Sequence, residues 1–599
     1  MADTTIRIGG ASGFWGEAGL ATPQLLEAGG LDYLVYDYLA EITLSIMARA
    51  RDRDRNLGYA TDFIDSTLGP NLTEISNQGV KLISNAGGLN PAACAVAARE
   101  VIAQAGLDLT VAVVSGDDLS SHKSLFADRG LTEMFSGRPF PAPDSIASIN
   151  AYLGAFPIAK ALDRGADIVI IGRCVDSAVT LGACIHAFGW QADDLDRLAG
   201  GSLAGHILEC GPQATGGNFT DWQETADSLT DIGYPIAEIS SDGSFVCTKP
   251  ELSGGVVTVG SVAEQVLYEI GDPQAYVLPD VVCDFSEIRI DQSGPDRVRI
   301  SGALGYPPPH EYKVCVTYAD GFRGGLLLTF NGFDARAKAL VFAKASIARA
   351  TRRLTALDLP EFTETSAEVF GGVPEGCLEA GTETYQEVVL KIAARHPAAA
   401  GVATLLKEIT GLGLATPPGL SVFAGSRPRP SPVVRLFSCR VPRSEVKVQI
   451  ECQGKTFVHE PRAVDSLPVA RPVPHLEPTE PDHSGQMAAV PLVRLAFGRS
   501  GDKGNNANIG IIARRPEYLP FIWKALSPKV VARCFSIYLE GEVERYLLPG
   551  IHAVNFVLHD VLGGGGIASL RNDAQGKGFA QILLAQAITV PVELIGAQR

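Results

Sequence analysis

The chain has 599 residues, of which 46% are hydrophobic and 20% charged, and its formal net charge at pH 7 is −17. These fractions are those of ordinary globular proteins, so extensive disorder is excluded and roughly two to four domains are expected. The acidic balance excludes nucleic acid or an anionic membrane as the main partner, because both require a basic surface.

Eleven cysteines are scattered along the chain with no C-x-x-C pair and no zinc-type spacing, so no metal site is predicted. An odd number of thiols indicates a reducing compartment. The first residues have no charged-then-apolar leader pattern, and no apolar run reaches the length of about 18 residues that a membrane span needs. We therefore expect a cytoplasmic protein without a membrane partner.

The first part of the chain alternates short apolar runs with helical segments. Helices are predicted from Pro23 (with Thr22 as N-cap), from about Ala40 and from Pro91. The predicted strands are Ile6–Gly9, Tyr33–Tyr38, Val80–Ser84, Leu109–Ser115 and Ile168–Gly172. This alternation predicts an α/β domain over residues 1–230, with a mostly parallel sheet that binds ligands at the carboxyl ends of its strands.

Beyond residue 230 the sequence becomes richer in β-strands. A mixed α+β domain packed on the first is predicted over 231–460, with a helix at Ala335–Leu354. The predicted strands there are Phe245–Lys249, Gly255–Val259, Ile288–Ile290, Val298–Ser301 and Tyr312–Thr317. The proline-rich residues 461–486 predict a linker.

Residues 487–599 predict a small α+β domain. Its predicted strands are Leu492–Phe497, Asn508–Ala513 and Ala553–His559, and its predicted helices are Phe521–Phe535 and Ala574–Ala585.

The glycine-rich run Gly10–Gly16 follows the first strand and copies the spacing of nicotinamide-dependent reductases, with Asp37 where a ribose-binding acid would lie. A phosphate site requires the helix to open on the glycines, yet the capping residues place its start at Thr22. No Tyr-x-x-x-Lys pair is present either. The alternative is a tight loop that admits a ligand, in which Ser12 and Gly13 contact the substrate.

Two further strand ends carry candidate groups. Asn85, Gly87 and Gly88 precede a capped helix start whose free amides suit a carboxylate or phosphate, although a well-capped helix alone would explain part of the motif. Asp117 and Asp118 end another strand, where adjacent carboxylates can bind a metal, share a proton or only cap the next helix.

The run Ile171–Ser177 offers Arg173 as an anion clamp and Asp176 as an acid or base. Cys174 lies between them, but no histidine is near in sequence, so an inert thiol is the preferred interpretation. The polar stretch Glu209–Trp222 is a candidate active-site loop that contributes Asn218, or else an ordinary surface loop.

Gly498–Gly504 is predicted as a basic turn between two strands. Its Arg499 and Lys503 suit a carboxylate or a phosphate of coenzyme A, and a plain hairpin tip is the alternative. No helix follows, so the motif is not a P-loop.

Several motifs together resemble the acyclic terpene utilisation (AtuA) family. They are Gly9–Glu17, Asp37–Glu41, Ser84–Gly88, Gly172–Asp176 and Gly216–Asp221. The domain around Gly498–Gly504 resembles the ferredoxin-like domain often attached to family members. The resemblance implies a role in the breakdown of branched terpenoid acids, beside acyl-CoA carboxylases, dehydrogenases and hydratases, and transfers no catalytic residues.

The sequence therefore favours a hydratase or lyase acting on a branched acyl-CoA or its free acid, with coenzyme A present as part of the substrate. Asp117, Asp118 and Asp176 are the acid–base candidates, and Asn85 is an orienting group. A nicotinamide-dependent reductase and a non-catalytic carboxylase subunit are the alternatives. A homo-oligomer is expected.

Overall fold

The computed structural model describes residues 5–17, 19–40, 43–371, 386–423, 428–460, 475–479 and 485–595. They form two compact units. The first comprises the chain up to Thr317, Leu436–Val561 and the chain from Gln575 onward, and the second comprises Tyr318–Arg435 and Leu562–Ala574. Most of the predicted linker 461–486 lies outside the described residues.

The strands up to residue 306 are β1 (Thr5–Gly10), β2 (Tyr33–Tyr36), β3 (Lys81–Ser84), β4 (Val111–Ser115), β5 (Ile146–Ala151), β6 (Ile168–Ile171), β7 (Ile236–Ser240), β8 (Phe245–Thr248), β9 (Tyr276–Val277), β10 (Val282–Asp284), β11 (Arg289–Gly294), β12 (Arg297–Ser301) and β13 (Leu304–Tyr306). Those that follow are β14 (Glu311–Gly332), β15 (Glu364–Gly371), β16 (Gln386–His396), β17 (Leu420–Ser421), β18 (Ser431–Pro442), β19 (Val448–Cys452), β20 (Lys455–His459), β21 (Met487–Pro491), β22 (Ala496–Lys503), β23 (Asn506–Ala513), β24 (Val543–Leu548), β25 (Ala553–Leu558) and β26 (Ala587–Pro591).

The α-helices are α1 (Ala21–Ala28), α2 (Thr43–Arg53), α3 (Gly69–Gln78), α4 (Pro91–Gln104), α5 (Lys123–Asp128), α6 (Phe156–Asp163), α7 (Ala178–Phe188), α8 (Leu195–Leu208), α9 (Val259–Leu267), α10 (Ala335–Ala356), α11 (Ala399–Gly411), α12 (Leu519–Ala525), α13 (Pro528–Cys534), α14 (Phe579–Leu584) and α15 (Val592–Ile595). A π-helix at Phe63–Leu68 precedes α3. None of the helices in the described ranges is long and apolar enough to cross a membrane.

The main sheet of the first unit has eleven strands in the order β11-β12-β8-β7-β1-β2-β3-β6-β4-β19-β20. The five strands β1-β2-β3-β6-β4 are mutually parallel, and both flanks pair antiparallel. The parallel strands are apolar and buried, as expected of a sheet covered on both faces. The predicted α/β class is confirmed.

The chain reverses its winding direction within the parallel strands. It steps outward from β1 through β3 to β4 and then returns to insert β6 between β3 and β4. Helix α4 packs on β4 and β6, whereas α6 packs with α7, which lies over β1, β2 and β3. The reversal sends the connections after β3 and β6 to opposite faces of the sheet. Ligand sites of doubly wound sheets lie in the crevice at such a point.

Two element predictions in the part of the first unit that precedes Thr317 are wrong. The single long helix from about Ala40 is instead α2, a π-helix and α3, because Gly58 adopts φ +103° and breaks the segment. The strand predicted at Gly255–Val259 is absent, and Val259 begins α9. Thr258 caps that helix in a capping box with Ser261, a signal that overrides the β-branched composition.

Residues 485–595 include a four-stranded antiparallel sheet, β22-β23-β25-β24, with α12, α13 and α14 beside it. The predicted strand Leu492–Phe497 is wrong in position, since β21 ends before it and β22 begins at its end. The predicted helix Phe521–Phe535 is two helices, because Ser527 caps a new helix through Val530 N.

The second unit contains a sheet in the order β15-β16-β14-β17, with β14 contributing its part from Tyr318 onward. Helices α10 and α11 cover one face of it, where Phe330, Phe342 and Leu390 are buried. The run Gly563–Gly566 belongs to this unit.

Candidate functional site

The candidate site of the first unit lies at the carboxyl ends of its parallel strands. Asp37 follows β2, and Asn85 follows β3. Asp37 Oδ1 accepts hydrogen bonds from Asn85 Nδ2 at 2.5 Å and from Leu39 N at 3.2 Å, while Asn85 Oδ1 accepts from Tyr38 N at 2.7 Å. The side chain of Asn85 is therefore hydrogen-bonded to the carboxyl of Asp37.

The carboxyl of Asp37 has an unusual electrostatic environment. Burial raises its pKa well above the ordinary range, and the neighbouring carboxylates of Asp176 and Glu209 add to that shift. The cation of Arg173 and the hydrogen bond from Asn85 oppose it without cancelling it. Asp37 therefore tends to hold a proton that an exposed aspartate would release.

Arg173, two residues after β6, heads the large side chains that are fully buried among the described residues. Its Nη1 donates to Leu39 O at 2.6 Å and to Asp176 Oδ1 at 2.8 Å. The guanidinium lies 4.2 Å from the ring centre of Tyr152, and its Nε has no hydrogen-bond partner among the described residues. Burial lowers the pKa of Arg173, but the opposite effects of Tyr152 and Asp176 are stronger and raise it well above its ordinary value. The side chain therefore stays charged.

Asp176 is the accessible acid of this cluster, with 27% of its side chain exposed. The negative charge of Asp176 raises the pKa of both Asp37 and Glu209. One solvent-accessible carboxylate therefore acts on two buried ones. Cys174 is fully buried and its thiol pKa is raised well above the ordinary value, mainly by burial. An inert thiol is what such burial produces.

Asp117 and Asp118 bind different partners. Asp117 is buried and accepts from Arg173 N at 2.9 Å and from Asn150 Nδ2 at 2.8 Å, so it anchors the turn after β6. Burial raises the pKa of Asp117 to about 6. Asp118 forms a partly exposed ion pair with Arg51 at 3.2 Å and accepts from Ser120 N at 2.9 Å. Within the described residues the two carboxylates share no hydrogen-bond partner, although the charge of Asp118 adds to the raised pKa of Asp117.

A buried histidine–glutamate pair at the end of α8 also belongs to the site. His206 Nδ1 lies 3.0 Å from Glu209 Oε1, and His206 Nε2 lies 3.2 Å from Val266 O. Because the carbonyl can only accept, Nε2 carries hydrogen and the second proton lies between Nδ1 and the carboxyl. Glu209 Oε2 has no hydrogen-bond partner in the described part of the chain.

The pKa values of both members of the pair are raised. Burial alone lowers the pKa of His206, but the adjacent Glu209 reverses the direction. Burial raises the pKa of Glu209 against the opposing effects of His206 and Lys503. Sequence analysis missed His206, and the available signal was the spacing of His and Glu three residues apart at the end of an apolar helix.

The glycine run Gly10–Gly16 closes against the end of α8. A Cβ at Gly10 would lie 2.7 Å from Leu208 O. The amide of Gly13 donates to Glu17 Oε2 at 2.6 Å, and that of Gly16 donates to Asp62 Oδ2 at 3.1 Å. Carboxylates of the protein therefore occupy the donors that a dinucleotide diphosphate would need, and α1 begins only at residue 21.

Three further predicted contacts lie at the first and third strand ends. Ser12 is buried, and its hydroxyl donates to Asp37 O at 3.2 Å. Gly87 permits close approach of β6, because a Cβ there would lie 2.6 Å from Ile171 O. Gly88 adopts φ +51°, and its amide donates to Asn85 O at 3.1 Å. The backbone of Gly88 is therefore engaged within the protein.

The motif Gly498–Gly504 does not form the predicted basic turn, because its residues up to Lys503 lie in β22. Arg499 donates to Asn218 O at 3.0 Å and to Gln213 Oε1, and its guanidinium lies 4.6 Å from the ring centre of Tyr268. Asn218, at φ +57°, offers its carbonyl to this contact. Arg499 thus joins β22 to the loop 211–222.

The glycines of this motif serve packing. A Cβ at Gly501 would lie 2.6 Å from Tyr268 Cε2. Two buried asparagines of the same sheet donate hydrogen bonds to backbone carbonyls at the end of α9 and just beyond it. Asn508 donates to Leu267 O at 2.6 Å, and Asn555 donates to Gly271 O at 2.7 Å. The motif is therefore a close packing surface, and its amides are not an anion cradle.

Lys503, the last residue of β22, carries a positive charge that acts on groups of the site. Its Nζ lies 2.6 Å from Glu269 Oε2, with Lys577 Nζ 3.8 Å from the other oxygen. Burial raises the pKa of Glu269, but the two lysines outweigh it and the net direction is downward. Lys503 also lowers the pKa of Glu209. The predicted cation therefore neighbours the His206–Glu209 pair, while Arg499 is committed elsewhere.

Among the described residues, no three His, Cys, Asp or Glu side chains are close enough together to hold a metal ion. The site is instead a set of ionisable groups whose pKa values are shifted by burial and by one another. Such sets suit proton transfer.

These features define a doubly wound α/β protein with an ionisable strand-end site and an additional small α+β sheet domain. A family model described as acyclic terpene utilisation family protein AtuA matches residues 6–452, and the AtuA ferredoxin-like domain matches residues 490–589. The chain belongs to the acyclic terpene utilisation family AtuA, and its C-terminal domain is ferredoxin-like. No curated protein and no solved structure matches it.

Proposed function

We propose that the protein is a hydratase or a carbon–carbon lyase that acts on a branched acyl-CoA or its free acid. The observation that carries the proposal is the electrostatic coupling of Asp37, Asp176 and Glu209 around buried Arg173 at the switch point of the sheet. Hydration and carbon–carbon cleavage both require a proton donor, a proton acceptor and a cation for the developing negative charge.

The environment of each side chain indicates which of these roles it suits. Asp176 is open to solvent and paired with Arg173, which suits a general base. The His206–Glu209 pair holds a proton in a buried position, which suits a general acid. Arg173 and Lys503 supply positive charge for a carboxylate or a thioester enolate.

The test is turnover of branched acyl-CoA candidates, followed by mass spectrometry. We expect Asp176→Asn to lower kcat by about 10²- to 10⁴-fold, because general acid–base groups contribute on that order, while the asparagine oxygen can still accept from Arg173 and keep the fold. Asp118→Asn is the matched control and should stay within about threefold of the wild type, because Asp118 lies in a partly exposed ion pair.

Full activity of Asp176→Asn would remove Asp176 from the mechanism. Activity that appears only when biotin-dependent carboxylase subunits are added would replace the proposal with an accessory role. Saturable nicotinamide binding, lost in Asp37→Ala, would restore the reductase hypothesis.

A further inference from the structure

The second unit carries a group of arginines on the sheet face opposite its helices. Leu328, Phe330 and Leu390 point into the core under α10 and α11. Side chains alternate along strands, so Arg323 on β14 and Arg395 on β16, which are paired in register, lie on the other face. Arg435 of β18 joins them through a shared carboxylate, that of Asp320, which accepts from both Arg395 and Arg435.

The arginines are incompletely neutralised. Glu364 lies 3.6 Å from Arg395 and is the second carboxylate of the group. Arg323 has one hydrogen bond in the described ranges, from Nη1 to Ser569 O at 2.6 Å, and no ion pair. Arg395 is 8% exposed, and its Nε has no hydrogen-bond partner within the described residues. Within the described ranges, the carboxylates of Asp320 and Glu364 therefore pair with Arg395 and Arg435, and none pairs with Arg323.

The segment 562–574 packs against these arginines through the run Gly563–Gly566. All four glycines have positive φ, at 63°, 99°, 71° and 45°. A Cβ at Gly564 would lie 3.5 Å from Arg435 Nη1. The glycines allow this positive-φ backbone and let the segment pack close to the guanidinium group of Arg435.

Charge repulsion inside this group acts on Arg323. Burial lowers the pKa of Arg323, and the cation of Arg395 lowers it further. A half-buried arginine that lies near another cation and has no carboxylate destabilises the unliganded protein. A bound anion would remove that penalty and use the planar donor fork of the guanidinium.

We propose that Arg323, Arg395 and Arg435, with the run Gly563–Gly566, form a binding site for a phosphate-type oxyanion. The anion would be free phosphate or a phosphoryl group of a larger molecule such as coenzyme A. The site lies wholly within the second unit, and none of its residues takes part in the proposed reaction.

The test is titration of the full-length protein with inorganic phosphate, coenzyme A and 3′-dephospho-coenzyme A, followed by calorimetry and thermal shift. We expect at least one of these to raise the thermal midpoint by about 2–4 °C near saturation. Arg323→Gln should weaken binding at least about tenfold. Arg352→Gln, on the exposed surface of α10, changes the net charge equally and should leave binding unchanged.

The stability of unliganded Arg323→Gln separates a ligand site from a structural arginine. The variant should match or exceed the wild type in stability, because it relieves repulsion from Arg395. A loss of stability, unchanged affinity in Arg323→Gln, or no response of the wild type to any of the three probes would overturn the proposal. Asp176→Asn should bind the anion as the wild type does, which distinguishes failure of this site from failure of the proposed function.

Discussion

His206 Nδ1 lies 3.0 Å from Glu209 Oε1 while His206 Nε2 contacts the carbonyl of Val266, so one buried proton is shared between an imidazole and a carboxyl. Neither group has this environment in the unfolded chain. The charges of Asp176 and Lys503 act on Glu209 in opposite directions, since Asp176 raises its pKa and Lys503 lowers it. Changes at the strand ends and in β22 therefore both alter its protonation.

Glu209→Gln should lower the pKa of His206. Glu209 is what raises that pKa against burial, so without the carboxylate the burial effect prevails and the imidazole becomes neutral at neutral pH. The measurement is a pH titration of labelled histidine by NMR. Glu224→Gln, in an exposed position, is the control and should leave the titration unchanged. An unaltered His206 titration in Glu209→Gln would show that the pair is not coupled.

Asp37→Asn should stabilise the protein as pH rises. The folded-state pKa of Asp37 is raised above the ordinary value of 3.8, so its contribution to stability is present below that pH and is lost as pH rises through the folded pKa. The asparagine keeps an oxygen for Asn85 and does not ionise. We expect a gain of about 1–3 kcal/mol at pH 8 and little difference near pH 4, measured by urea unfolding. A pH-independent difference would contradict the shift.

Arg499→Ala and Lys503→Ala should have different effects, although the sequence assigns both residues to anion binding. Arg499 is 6% exposed and loses its bonds to Asn218 and Gln213, so its removal should cost about 2–4 kcal/mol of folding stability. Lys503 is 44% exposed on its side chain and should change the thermal midpoint little.

In the same experiment Lys503→Ala should raise KM for the anionic substrate, because the substrate would lose a nearby cation. Equal effects of the two substitutions on stability and on KM would refute the division of roles.

Gly501→Ala should loosen the packing of β22 against Tyr268. The added Cβ would meet Tyr268 Cε2 at 2.6 Å, closer than real Cβ contacts, so the thermal midpoint should fall by several degrees, equivalent to about 1–3 kcal/mol. Gly504→Asn is the control, because that turn has φ +64° and no atom within 4 Å of an added Cβ. Similar losses in both variants would indicate that the turn, and not the packing surface, limits stability.

The order of elements could be predicted from the sequence because it depends on local patterns. The buried apolar runs that become β1, β2, β3, β4 and β6 are recognisable without knowledge of their neighbours, and so are the strand-end positions of Asn85 and Arg173. The family resemblance, carried by several separate motifs, is confirmed over residues 6–452 and 490–589.

Tertiary structure alone decided which of these groups meet. Asp117 and Asp118 are adjacent in sequence yet bind different partners, because consecutive residues at a strand end point in different directions. His206 and Lys503 are nearly three hundred residues apart, and their shared electrostatic environment depends on how β22 packs beside α9. Burial sets their pKa values, and burial is a property of the folded chain that no local spacing contains.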